Sequence, residues 1–205
     1  MFAFLTGLGL ASAAGLNAYI PILVVGLLAR YSDLVELPSQ FAWMSGGWAL
    51  TIVAVLCAAE FVLDKVPVID SANDLVMTLI RPAAGGAVMV ASTAAGDLDA
   101  AVGTGTTLLA EQPWIGWVLG IGTALAVHTT KVTVRPVANA GTLGTAAPVL
   151  STAEDFFSLG LSVVAIIAPV LGLIFMLFLM YCTFRLVRAA HRRRARGRAA
   201  PGRPG

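Results

Sequence analysis

An all-α polytopic integral membrane protein with about five transmembrane helices, some broken or re-entrant, and two similar charged hairpins is the fold class the sequence predicts, on three observations. Hydrophobic residues make up 58% of the chain, charged residues only 12%, and mean hydropathy is +0.87; ordinary soluble domains do not combine these values. The 205 residues carry repeated apolar runs, and a hydrocarbon core of about 30 Å takes about 20 helical residues per crossing. Charge is also unevenly placed. Eight of the thirteen basic residues lie from Arg185 onward, which leaves five against all eleven acids in residues 1–184, a net charge of −6. The predicted organisation is one membrane domain over 1–186 and a basic, disordered tail over 187–205 that faces the cytoplasm.

Hydropathy places the segments near 3–29, 47–63, 72–95, 114–130 and 156–184. The first begins "MFAFLTGLGLASAAG". It has no positive region ahead of the apolar run, and the run continues to Ala29, so it reads as a retained span and not as a cleaved signal. Gly7, Ala11 and Gly15 recur every four residues, a pattern for close helix packing, while Asn17 and Pro21 interrupt the interior of the span. The connection "YSDLVELPSQFAWMSGG" carries Pro38, Gly46 and Gly47 as breakers and reads as a surface loop, as does "GDLDAAVGTGTTLLAEQP" after the third segment. Gly116 and Gly120 form a second packing motif in the fourth segment.

The second segment ends in "EFVLDKVPVID", which places Glu60, Asp64, Lys65 and Asp70 within eleven positions of a largely apolar chain. Glu60 and Asp64 share a helical face. Pro67 is read as a break, and Ser71 with Asp74 fits the S-x-x-[DE] capping pattern that opens a new helix. On that helix Asp74, Thr78 and Arg81 fall at i, i+4 and i+7. The fourth segment closes on a matching basic cluster: His128, Lys131 and Arg135 lie on one face, with Pro136 read as the helix stop. Ser151 and Glu154 repeat the capping pattern, and Asp155 follows. Two similar charged hairpins are therefore expected, acidic at the first helix end and basic at the second.

Ionisable groups at membrane depth are costly unless paired or facing a water-filled cavity. Two readings remain open. One is an ion-pair network that fixes the fold. The other is a polar site in which Arg81, Lys131 and Arg135, aided by helix N-termini at Ser71 and Ser151 and by Asn17, receive an anionic group. In that site Glu60, Asp64, Lys65, Asp70, Asp74, His128, Glu154 and Asp155 pair with the basics or relay protons. Cys57 and Cys182 both lie in apolar runs and read as small buried hydrophobes.

No zinc-protease, nucleophile-elbow or P-loop motif occurs, and His128 is the only histidine outside the tail. No metal or cofactor is expected. An enzymatic reading would have to assemble Ser151, His128 and Glu60. The basic tail puts the C-terminus in the cytoplasm, attracts anionic lipid headgroups, and calls for no nucleic-acid partner. With five crossings both charged hairpins fall outside. Lys65, Lys131 and Arg135 then depart from the positive-inside rule, which points either to a structured site or to a different topology.

The stretches "GLNAYIPILVVGLLAR", "EFVLDKVPVIDSANDLVMTLIRPAAGG" and "NAGTLGTAAPVLSTAED" resemble a bacterial membrane family, the domain-of-unknown-function family 4126. The resemblance covers nearly the whole chain before the tail and is most specific at Gly141, Gly144, Pro148, Ser151, Thr152 and Glu154. It implies a multi-pass protein of the bacterial inner membrane and brings no activity. The expected function is a small transporter or channel-like protein, possible as a homodimer, that handles a small solute, ion or lipid headgroup between the charged hairpins. The alternative is a non-transporting subunit of a larger membrane complex.

Overall fold

The computed structural model describes residues 2–65, 67–94, 112–142, 146–174 and 176–178, together with Tyr181, Arg185 and Arg188. The fold is all-α. Its elements are α1 (Phe2–Leu16), α2 (Tyr19–Tyr31), a 3-10 segment (Ser39–Ser45), α3 (Gly47–Leu63), α4 (Pro67–Ala94), α5 (Pro113–Thr142) and α6 (Ala146–Ile167). Residues 169–174 and 176–178 are also helical. The loop expected over 96–113 and the tail over 187–205 fall outside the described residues, apart from Gln112, Pro113 and Arg188.

Two helical stretches, Ala72–Thr93 and Ala147–Ile167, are long and apolar enough to cross a membrane. Ser39–Ser45 with Gly47–Leu63 adds a third if that pair, bent by 61°, is one span. Phe2–Leu16 and Tyr19–Tyr31 are shorter apolar helices. Among the described residues, two or three stretches thus meet this length and composition, and the bent pair and the two short helices are the broken segments expected from the sequence.

The first predicted span is two helices, and Asn17 accounts for the break. Its backbone N–H still closes onto Ala13 O at 3.0 Å, while its Oδ1 accepts from Tyr19 N at 3.0 Å and Ile20 N at 3.2 Å. One side chain thus ends α1 and caps α2. Pro21 is not the breaker: it sits in the first turn of α2, where a missing N–H costs little.

Three other local expectations are corrected. Ser71 lies inside α4, which begins at Pro67, a residue suited to the first helical position. Ser151 lies inside α6, which begins five residues earlier at Ala146. Neither serine opens a helix, so neither contributes an exposed N-terminus. Pro136 does not end α5, which continues to Thr142, and Pro82 is likewise inside α4; in a packed membrane bundle the single backbone bond that proline forfeits does not stop the helix. The connection after α2 is also more than a surface loop, because Phe41 and Met44 of the 3-10 segment are buried against the core that contains Leu10, Val25 and Val88.

Helix α1 is the centre of the bundle, packed against α4, α5 and α6. Every residue from Gly9 to Gly15 is buried. Small side chains allow this approach: a Cβ at Gly7 would press on Met89, one at Gly9 on Ala165, and one at Gly15 on the Ala124 carbonyl and Val127. The most extensive pairing joins α4 to α5, where Gly85, Gly86 and Gly120 bring the backbones together. Large apolar side chains such as Trp48, Ile52, Val55, Leu75, Leu79 and Leu171 point outward, as in a protein whose solvent is hydrocarbon.

Gly120→Ala drives a methyl group into the Gly85 carbonyl, whereas Gly122 has open space around it. Gly120→Ala is expected to cost about 1–3 kcal/mol and Gly122→Ala to be neutral, as read from thermal unfolding of the two purified variants in detergent.

Candidate functional site

Five elements converge on one buried polar network. The end of α3 supplies Glu60 and Asp64 one turn apart. Helix α4 supplies Asp74, Thr78 and Arg81, and α5 supplies His128, Lys131 and Arg135. Helix α6 brings Glu154 and Asp155, and the α1–α2 break brings Asn17 and the Leu16 carbonyl. Spacings of three, four and seven residues put the contributors of α3, α4 and α5 on one face of each, while the adjacent Glu154 and Asp155 of α6 diverge toward Arg135 and Asn17.

Arg81 is fully buried, at 0% exposure. Its Nη2 donates to Glu60 Oε1 at 2.7 Å and lies 3.7 Å from Asp64 Oδ2, while Nη1 reaches Asp74 Oδ1 at 3.5 Å and His128 Nδ1 at 3.0 Å. A guanidinium has no acceptor, so His128 Nδ1 must accept and the ring proton sits on Nε2. Nε2 then donates to Thr78 Oγ1 at 3.0 Å, and Thr78 Oγ1 donates to the Asp74 carbonyl at 2.8 Å. The chain of donors runs from Arg81 through His128 and Thr78 to the α4 backbone.

Asp64 is the hub. Its Oδ2 accepts from Lys131 Nζ at 3.2 Å and Arg135 Nη2 at 3.3 Å, and its Oδ1 accepts from Asn73 Nδ2 at 2.8 Å. Lys131 Nζ also meets Glu154 Oε2 at 3.0 Å and Leu16 O at 3.3 Å, which satisfies a carbonyl released by the helix break. Arg135 pairs with Glu154 through Nη2, and its Nε donates to the other oxygen of that carboxylate at 3.2 Å. Asp155 is held differently. Its Oδ1 accepts from Asn17 Nδ2 at 2.9 Å, and no cation contacts it among the described residues.

A family model described as a domain of unknown function, DUF4126, matches residues 4–189. The chain belongs to this family. No curated protein and no solved structure matches it. Every member of the buried network lies inside the DUF4126 match.

Of the residues singled out from the sequence, this DUF4126 chain brings Asn17, Glu60, Asp64, Asp74, Arg81, His128, Lys131, Arg135, Glu154 and Asp155 together. Lys65 is not among them: its ammonium turns back onto the Phe61 carbonyl and ring. Ser151 is buried on the Asp155 face of α6, not at a helix end. The side chains of Asp70 and Ser71 lie outside the described residues. Asn73 and the Leu16 carbonyl were not anticipated. Nothing distinguishes Asn73 in "SAND" from its polar neighbours, and a backbone acceptor has no signature of its own apart from the break beside it.

The balance of charge in the DUF4126 network is uneven. Five carboxylates (Glu60, Asp64, Asp74, Glu154 and Asp155) face three permanent cations (Arg81, Lys131 and Arg135). His128, accepting from Arg81, adds no charge. Glu60 Oε2, Asp155 Oδ2, Ser151 Oγ and Arg81 Nε are buried without a hydrogen-bond partner among the described residues. Buried ion pairs largely offset their desolvation, but a surplus of like charge does not. The arrangement therefore favours uptake of positive charge.

Arg81→Met strands Glu60 and Asp74 and is expected to cost about 3–5 kcal/mol. Arg81→Met combined with Glu60→Leu should recover part of that loss, a coupling that a double-mutant cycle on thermal unfolding measures.

Proposed function

We propose that this chain is a small transporter or channel-like protein of the bacterial cytoplasmic membrane that handles a small positively charged ion, or a solute coupled to one, at the buried network. The surplus of carboxylates over cations carries this reading. The three basic side chains are each committed to carboxylates, so the cargo or coupling ion is a cation and not the anionic group that the basics alone would have favoured. The bundle crosses the bilayer five times: α1 with α2, the bent 3-10 and α3 pair, α4, α5, and α6 with the helical residues after it. The N-terminus lies outside and the basic tail inside, against anionic headgroups.

A broken first helix supports the same reading. Discontinuous membrane helices put backbone groups at mid-bilayer depth, where irregular backbone is tolerated because it lines a site. The rival reading, a subunit that only packs within a larger complex, draws on the dense pairing around Asp64.

Reconstituted into liposomes, the wild-type chain should move sodium, potassium or protons down a gradient above the rate of empty vesicles. Glu60→Gln should cut that rate at least about tenfold, the effect of about 1.4 kcal/mol, while leaving the protein folded. No flux of any of these ions, with or without added small solutes, would instead favour the subunit reading.

A further inference from the structure

Asp155 differs from the other four carboxylates of the network. Glu60, Asp64, Asp74 and Glu154 each meet at least one arginine or lysine, whereas Asp155 has only the neutral amide of Asn17. One oxygen is thereby satisfied, and Oδ2 is left buried without a partner. One turn earlier on the same face of α6, Ser151 is 1% exposed and its Oγ is also unpartnered. A serine hydroxyl at i and a carboxylate at i+4 are close enough to be neighbours on a helix, yet these two do not hydrogen-bond. Each of these two oxygens is therefore open to a ligand, and in a hard-cation site each would lie about 2.3–2.6 Å from an ion such as calcium.

The surroundings fit a singly charged ion. Among the described residues no group of three or more histidine, cysteine, aspartate or glutamate side chains could hold a metal. The unpartnered donors at this point are one carboxylate oxygen and one hydroxyl, a hard, weakly charged pair that matches an alkali-metal cation better than a divalent or a soft one. The position is at the α1–α2 break, where Asn17 caps α2 and Lys131 already takes the Leu16 carbonyl. Lys131 acts on Asp155 from a distance, and no cation contacts the Asp155 carboxylate among the described residues.

We propose that the break between α1 and α2 carries a binding site for a single alkali-metal cation, held by Asp155 Oδ2 and Ser151 Oγ beside Asn17. This site rests on the reading that the network handles positive charge, and it names the ion class and the residues.

The test uses the purified full-length chain in detergent, where no gradient exists and binding is separate from flux. Thermal unfolding is followed in sodium, potassium or N-methylglucamine chloride at fixed ionic strength and pH. Sodium or potassium should raise Tm saturably by about 5 °C over N-methylglucamine. Asp155→Asn keeps the shape and removes the charge, and Ser151→Ala removes the hydroxyl; each should abolish the increment. Saturable binding of radiolabelled sodium or potassium to the wild type provides a second readout if Asp155→Asn does not fold. The site is overturned by the absence of both a cation-specific shift and saturable binding, or by an increment that survives in Asp155→Asn. It is also overturned if lower pH reproduces the shift while alkali cations do not, which would make the ligand a proton. Binding without flux in liposomes would reject the transport reading and leave the site standing.

Discussion

One carboxylate oxygen, Asp64 Oδ2, lies within 3.7 Å of Arg81, Lys131 and Arg135, and the level at which α3, α4 and α5 meet depends on that convergence. None of these groups could be buried alone. Arg81 needs Glu60 and Asp74 as well, Lys131 needs Glu154 and the end of α1, and Arg135 needs Glu154. The pairs therefore set the relative height of four helices and the place where the first one breaks. Helix packing in a bilayer lacks the hydrophobic drive available in water, so polar contacts of this kind and close backbone approach determine the arrangement. The glycines of α1, α4 and α5 provide the approach, and the charges provide the register.

The break at Asn17 shows how the two devices meet. Gly15 lets α1 press against Ala124 and Val127, and two residues later the chain turns through an amide that caps the next helix and reaches Asp155. The carbonyl released at Leu16 is answered by Lys131. Backbone groups that hydrocarbon could not satisfy are thus absorbed into the ion-pair network.

Much of the site was legible because helical spacing is short-range geometry. Glu60 with Asp64, Asp74 with Arg81, and His128 with Lys131 and Arg135 each share a face by arithmetic on positions, and the opposite signs of the α3 and α5 ends already implied that they meet. The helix ends were less legible. Ser71 and Ser151 sit in good capping patterns, yet Pro67 and Ala146 begin the helices, because a cap motif describes a local option and tertiary packing decides whether it is used. Pro136 failed as a stop for a similar reason. Apolar composition marks a greasy run and not its continuity; the interruption of the first run was legible from Asn17 and Pro21, of which Asn17 is the one that divides it into two helices. Lys65 belonged to the acidic cluster by proximity in sequence but points away from it in space.

The dispersal of compensating charges over different helices bears on how the protein enters the bilayer. Lys131 and Arg135 ride on α5, and their main partners ride on α3 and α6. Released singly into lipid, such side chains each cost about 2.5–3.5 kcal/mol at mid-membrane. Helices α3 and α4, linked by only three residues, bring Glu60, Asp64 and Asp74 against Arg81 alone, so that pair too is left with unanswered charge until α5 arrives. The charges on α5 are thus neutralised only when α3 and α6 lie beside it, which ties the burial of each helix to that of its neighbours.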